Sequence, residues 1–150
     1  MTTSELAQWL VDLTAARTYY EERFGWPVNI SITERQVTIA LGGTLDAITM
    51  PAPLATRVQA QLGIAMLAGP VIANPDDTDW TFLIPTAPPG VITGLVADLP
   101  GVRHTGTHTA VPAPGTNSRW IREPGPKLVL PSVHAVVATA RRVLATQQGV

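Results

Sequence analysis

The distribution of proline and glycine constrains the fold of this chain more than any other feature of its sequence. The 14 prolines and 12 glycines lie in small clusters, among them Gly42-Gly43, Pro88-Pro89-Gly90 and Pro100-Gly101. Such clusters end helices and strands or form the turns between them. We therefore expect short elements packed into one domain over residues 1–150, with no apolar run of about 18 residues that could cross a membrane.

Four segments have the three- and four-residue spacing of apolar side chains that is typical of helices. The first begins at a capping box formed by Thr2 and Glu5 and ends at Gly25 and Pro27. Three further helices are predicted over 53–63, 90–99 and 132–147, the last capped by Ser132. The apolar stripe of the first helix consists of Leu6, Trp9, Leu10, Leu13, Ala16, Tyr20 and Phe24, and the charges at 12, 17 and 21–23 predict a solvated opposite face.

Between the helices, alternating apolar residues and β-branched residues predict strands that occur in adjacent pairs. Paired strands favour an α+β fold with a mixed or mostly antiparallel sheet over a doubly wound parallel sheet. We expect about four helices, packed on one face of that sheet. The predicted strands are 28–32, 37–41, 44–49, 71–73, 80–84, 102–111, 119–121 and 127–130.

The composition argues against several classes of function. The chain contains no cysteine, which excludes a disulfide framework, a thiolate metal site and a cysteine nucleophile. Ten basic and eleven acidic residues give a formal net charge of -1, which does not suit strong non-specific binding of nucleic acid. Charged residues make up 14% of the chain, against roughly 25% in ordinary domains, so we expect part of the surface to face a protein partner or a second copy. The N-terminus lacks a basic targeting region, which predicts a cytoplasmic location.

Two clusters invite a metal-site interpretation, and both are better explained without a metal. His104 and His108 would share one face of a strand but lie about 13 Å apart along it, too far to bind one ion. Asp76, Asp77 and Asp79 lack the glycine and the glutamate that an EF-hand loop requires, and the surrounding sequence NPDDTD is typical of a turn. We therefore predict no metal site, no cofactor and no catalytic residue.

A basic and aromatic group lies in the second half of the chain. Basic side chains around an aromatic ring can bind single-stranded nucleic acid by stacking and charge. The alternative is a tryptophan in the core with solvated arginines at a sheet edge. The candidate ligand-binding or nucleic-acid-binding residues are Arg103, His104, Arg119, Trp120 and Arg122.

Three short stretches resemble the bifunctional primase–polymerase domain family common in actinobacteria. YYEERFGWPV (19–28) is similar to the family's helix end before its first strand. DWTFLIP (79–85) is similar to the strand that carries a metal-site or triphosphate-binding histidine. VRHTGTHTAVPAP (102–114), followed by Arg119-Trp120, is similar to a glycine-rich strand and a later Arg-Trp pair. The resemblance covers about 15–124 and implies an α+β primase-like core.

The same resemblance implies metal-dependent nucleotidyl transfer, for which paired acids hold two divalent ions. In this sequence Ile48 and Met50 stand where the paired acids would be, only Asp46 remains, and the stretch around Trp80 has no histidine. We therefore expect a catalytically inactive scaffold that acts as a protein-interaction or regulatory module and self-associates as a homo-oligomer. Nucleic-acid or nucleotide binding is one alternative. Residual metal-dependent transfer, which would bring Asp46 together with the 76–79 acids and the histidines, is another.

Overall fold

The computed structural model of the chain describes residues 3–112, 119–125 and 129–148, with the backbone alone at 3–7 and 147–148. These residues form four helices and eight strands around two apolar cores. The helices are α1 (Thr3–Phe24), α2 (Ala52–Ile64), α3 (Val91–Val96) and α4 (Val133–Gln148). The strands are β1 (Val28–Ser31), β2 (Gln36–Ala40), β3 (Leu45–Pro51), β4 (Val71–Ala73), β5 (Asp79–Pro85), β6 (Arg103–His104), β7 (His108–Val111) and β8 (Trp120–Arg122).

A five-stranded sheet with the order β6-β3-β5-β4-β8 forms the centre of the molecule. Strand β3 pairs with β5 over its whole length, from Leu45 opposite Pro85 to Pro51 opposite Asp79. The segment from β3 to β6 runs strand, helix, strand, strand, helix, strand, and its four strands lie in the order β6-β3-β5-β4. This is the split βαβ arrangement of ferredoxin-like folds, to which β8 and α4 are added.

Three helices cover one face of the central sheet. Successive side chains of a strand point to opposite faces, so Ile48 and Met50 of β3 share a face with Phe82 and Ile84 of β5. All four are buried against α2, α3 and α4. The side chains that α4 contributes to this core are aliphatic: Val133, Val136, Val137, Ala140 and Val143.

The opposite face packs against α1 and a smaller sheet with the order β1-β2-β7. Leu45, Ala47 and Leu83 of the central sheet join this second core, together with side chains from β2 and from the inner face of α1. Aromatic rings fill much of it. The rings of Tyr20 and Trp26 stack with centroids 5.6 Å apart.

The predicted α+β class, the antiparallel pairing and the number of helices are confirmed, since every strand pair among the described residues is antiparallel. Three details are wrong. The helix α1 lies on the other side of the sheet from α2, α3 and α4, and the segment 102–111 forms two strands. Gly106, with φ of 45°, lies where the chain passes from the central sheet to the small one. Of the predicted strand 127–130, residues 129 and 130 are irregular, and 127–128 lie outside the described residues.

Candidate functional site

The five predicted binding residues do not converge. Arg103 and His104 lie on β6 and Trp120 and Arg122 on β8, with Arg119 next to β8, and these strands are the two opposite edges of the central sheet. Four strand spacings separate the edges, about 19 Å. The interpretation of these residues as one basic and aromatic group is therefore wrong, because β3, β5 and β4 lie between the two edges, which the sequence does not indicate.

Trp120 takes part in the second core. Its indole Nε1 donates a hydrogen bond to the Tyr20 hydroxyl at 3.1 Å, and the two rings lie 6.3 Å apart. The Tyr20 hydroxyl in turn donates to the carbonyl oxygen of Pro112. Burial raises the pKa of Tyr20 to about 12. Trp120 therefore fits the core alternative better than a stacking platform, while Arg122 is exposed beside it.

Arg103 also has an acidic partner. Its Nη2 lies 3.1 Å from Oδ2 of Asp79, the first residue of β5. Asp76 and Asp77 are exposed in the turn before β5, which Asn74 holds because its Oδ1 accepts from the backbone N–H groups of Thr78 and Asp79. The turn prediction for this segment is confirmed.

His104 contacts Asp46, the one acid that remains where the resemblance would place the metal-binding acids. Its Nε2 lies 3.0 Å from Oδ1 of Asp46 at the start of β3. The carboxylate is 2% exposed, and its Oδ2 accepts from the backbone N–H of Ala87 at 3.1 Å and from Thr86 Oγ1 at 3.3 Å. The sequence identified both residues as candidates for chemistry, but 58 residues separate them, and no local pattern predicts their contact.

The remaining metal candidates are dispersed. His108 is exposed on β7, in the other sheet from His104. Ile48 and Met50 are 0% exposed on the helix-covered side of β3, so the positions where the resemblance would place paired acids face a packed apolar core. In the part of the chain that the structure describes, no three His, Asp or Glu side chains are placed to hold one metal ion.

The side of α1 that faces away from the core is unusually apolar. We define the outer face of α1 as Leu10, Val11, Thr14, Ala15, Thr18, Tyr19 and Glu22, which together line one surface depression. Leu10 is 40% and Val11 58% exposed. Only one of the seven residues, Glu22, carries a charge.

The charged residues at 12, 17 and 21–23 are exposed, as predicted for the solvated face of α1. Leu10, which the apolar spacing places in the buried stripe, is instead exposed, so that prediction is wrong. Most of these charges flank the outer face. Arg17 pairs with Glu21 at 3.3 Å, and the Arg23 guanidinium lies 5.3 Å above the Tyr19 ring. The overlooked signal is the spacing of Val11, Ala15 and Thr18, which places three small or apolar residues along a line opposite Leu13, Ala16 and Tyr20.

A second apolar patch surrounds the turn after α2. Ile64 is 78% and Met66 90% exposed, and Val129 lies near them along a shared depression with Met66. This patch borders 126–128, which lie outside the described residues.

The comparisons with known proteins find no matching family, no similar curated protein and no similar solved structure. The primase–polymerase resemblance rests on the short motifs of the sequence. Among the described helices, none is long and apolar enough to cross a membrane.

Proposed function

We propose that this chain is a protein-interaction module that binds a second copy of itself through the outer face of α1. On this proposal it retains a primase–polymerase-like scaffold without nucleotidyl transfer. The apolar, fully buried residues Ile48 and Met50 support the loss of that chemistry. One observation carries the interaction role: α1 exposes apolar side chains on the side opposite to the one that packs in the core.

The arrangement of side chains on this face favours a second copy as the occupant. Val11 and Tyr19 lie four residues before and after Ala15, and the outer-face residues between them, Thr14, Ala15 and Thr18, are small. In an antiparallel pair of α1 helices centred on Ala15, Val11 of one copy meets Tyr19 of the other. The small residues at the centre allow the two backbones to approach closely. The face is then complementary to itself, as a two-fold symmetric contact requires.

The polar ends of the outer face are also self-complementary. Antiparallel pairing about Ala15 places Glu22 of one copy beside Gln8 of the other, whose amide can donate to the carboxylate. It also places Arg23 of one copy towards the N-terminal half of the partner helix, which carries Asp12. No like charges meet at the centre, because Thr14, Ala15 and Thr18 carry none.

The expected dimer is weak. The helical segment from Gln8 to Glu22 is about 21 Å long, and a helix pair of this length buries less than the roughly 1,600 Å² of a standard interface. We expect a dissociation constant on the order of micromolar that changes little with salt, because the contact is mainly apolar.

The test is sedimentation equilibrium of the chain and of two matched variants. Ala15→Glu places a charge at the centre of the outer face, and Ala138→Glu places the same charge on the exposed side of α4. Both positions are exposed and glutamate is a good helix former, so both variants should fold. We expect Ala15→Glu to weaken self-association at least about tenfold and Ala138→Glu to leave it unchanged. A monomeric wild-type chain, or equal loss in both variants, would overturn the proposal.

A further inference from the structure

The pair formed by Asp46 and His104 lies at a pocket that the interaction role does not use. The pocket has a volume of about 220 Å³ and lies between β3, β6 and the segment that leads into α3. Asp46 and His104 are the only ionisable residues among those that line it. No residue of α1 contributes, so the pocket is separate from the outer face of α1.

The hydrogen bonds of Asp46 determine which nitrogen of His104 is available to a ligand. An ionised carboxylate can only accept hydrogen bonds, and this one accepts from Ala87 and Thr86 as well as facing His104 Nε2 at 3.0 Å. Nε2 must therefore carry the proton. In the neutral imidazole the other nitrogen, Nδ1, then has a free lone pair. The side chain of His104 is 34% exposed, so a ligand can reach it.

The rest of the pocket has a rigid rim and mainly apolar walls. Pro88 and Pro89 restrict the backbone along one rim, while Ala87 and Ile92 supply apolar walls and Thr93 adds a hydroxyl. Preformed apolar pockets with a few fixed polar groups are typical of small-molecule sites.

We propose that this pocket binds a compact, uncharged molecule whose O–H or N–H group donates a hydrogen bond to Nδ1 of His104. Its volume accommodates about ten non-hydrogen atoms at protein packing density. The ligand is uncharged because a neutral His104 offers no cation to a phosphate or carboxylate, and the oxygens of Asp46 are already engaged by Thr86, Ala87 and His104. Asp46 is a positioning residue that fixes the tautomer of His104 without touching the ligand.

Phenol and anisole form a matched pair of probes, since they share a ring and differ in the O–H group that donates. NMR titration of the wild-type chain follows the imidazole signals of all three histidines, with His108 and His134 as internal controls. We expect phenol to shift the His104 signal saturably and to bind at least about tenfold more tightly than anisole. No saturable shift, equal binding of the two probes, or equal shifts at all three histidines would overturn the proposal.

Two variants separate this role from a purely structural one. Asp46→Asn keeps the shape of the side chain but can donate to Nε2, which places the proton on Nδ1 and removes the acceptor. His104→Phe keeps a ring and removes both nitrogens. We expect either variant to reduce the preference for phenol over anisole to within about twofold. If the preference persists in a folded variant, His104 does not bind the ligand, whatever the oligomeric state of the chain.

Discussion

The two long helices α1 and α4 lie on opposite sides of the central sheet and differ mainly on the sides that face away from it. The exposed side of α4 carries His134, Arg141 and Arg142, and none of the large apolar side chains that the described residues expose lies on α4. The exposed side of α1 carries Leu10 and Val11. Both helices bury an apolar stripe, so packing within the chain does not explain the difference.

Burial within the chain explains the apolar side chains on only one side of α1. A helix at the surface of a monomer usually has one apolar stripe and an opposite polar face, and α4 follows this rule. The second apolar side of α1 indicates a contact outside the chain.

The largest expected effect is one in which α1 and α4 behave alike. Ala16 of α1 is 1% exposed and Ala140 of α4 0% exposed. An aspartate at either position buries a charge without a partner, which should lower the free energy of unfolding by at least about 3 kcal/mol. Urea denaturation of Ala16→Asp and Ala140→Asp measures this loss. A stable Ala16→Asp variant would show that α1 is not anchored in the second core as described.

The next largest effect distinguishes the buried side of α1 from the buried side of α4. Burial raises the pKa of Tyr20 on α1 to about 12, above its usual value near 10, so the folded state retains the proton at higher pH than the unfolded state. The stability from this group is complete below about pH 10 and is lost as the pH rises through about 12. We expect the free energy of unfolding to fall by about 2 kcal/mol over this pH range.

Denaturation of the wild-type chain and of Tyr20→Phe between pH 8 and pH 12, roughly the range over which tyrosine titrates, tests this. The variant lacks the titrating hydroxyl, so its free energy of unfolding should fall less steeply as the pH rises. The core that α4 helps to form contains no tyrosine, so the effect belongs to the core that contains α1. An equally steep loss in Tyr20→Phe would assign the alkaline sensitivity to another group.

The smallest effect concerns the polar surface of α4. Arg141 binds both carboxylate oxygens of Asp98, at 2.6 and 2.9 Å, and this hydrogen bonding lowers the pKa of Asp98. Any stability from the pair is present at neutral pH and is lost as the pH falls towards the acid range. Both side chains are exposed, so Arg141→Gln should change stability little and leave self-association unchanged. A marked loss of self-association in Arg141→Gln would place the contact on α4.

The features that the sequence predicted correctly depend on residues that lie close together along the chain. The cap of α4 is confirmed, since Ser132 Oγ accepts from the N–H of Ala135 at 3.1 Å, as is the turn held by Asn74. Apolar periodicity also identified the inner stripes of α1 and α4. Such patterns report which side chains are buried but not which element covers them.

The long-range arrangement was not predictable for the same reason. The order of the strands in the sheet separates Arg103 from Trp120, and it brings His104 to Asp46 across 58 residues. The outer face of α1 was missed because its centre consists of Thr14, Ala15 and Thr18. These residues are neither strongly apolar nor charged, so their significance emerges only once the opposite face is known to be buried.

Chemical crosslinking through position 15 tests the self-association through α1 most directly. The chain has no cysteine, so Ala15→Cys and Ala138→Cys each contain one thiol. A short bismaleimide should join two copies through position 15, because antiparallel pairing brings these thiols together, and should form no covalent dimer of the Ala138→Cys chain, whose thiols lie away from the interface. Crosslinking of the Ala138→Cys variant alone, or of both to the same extent, would contradict the α1 interface, as would the absence of any crosslink through position 15.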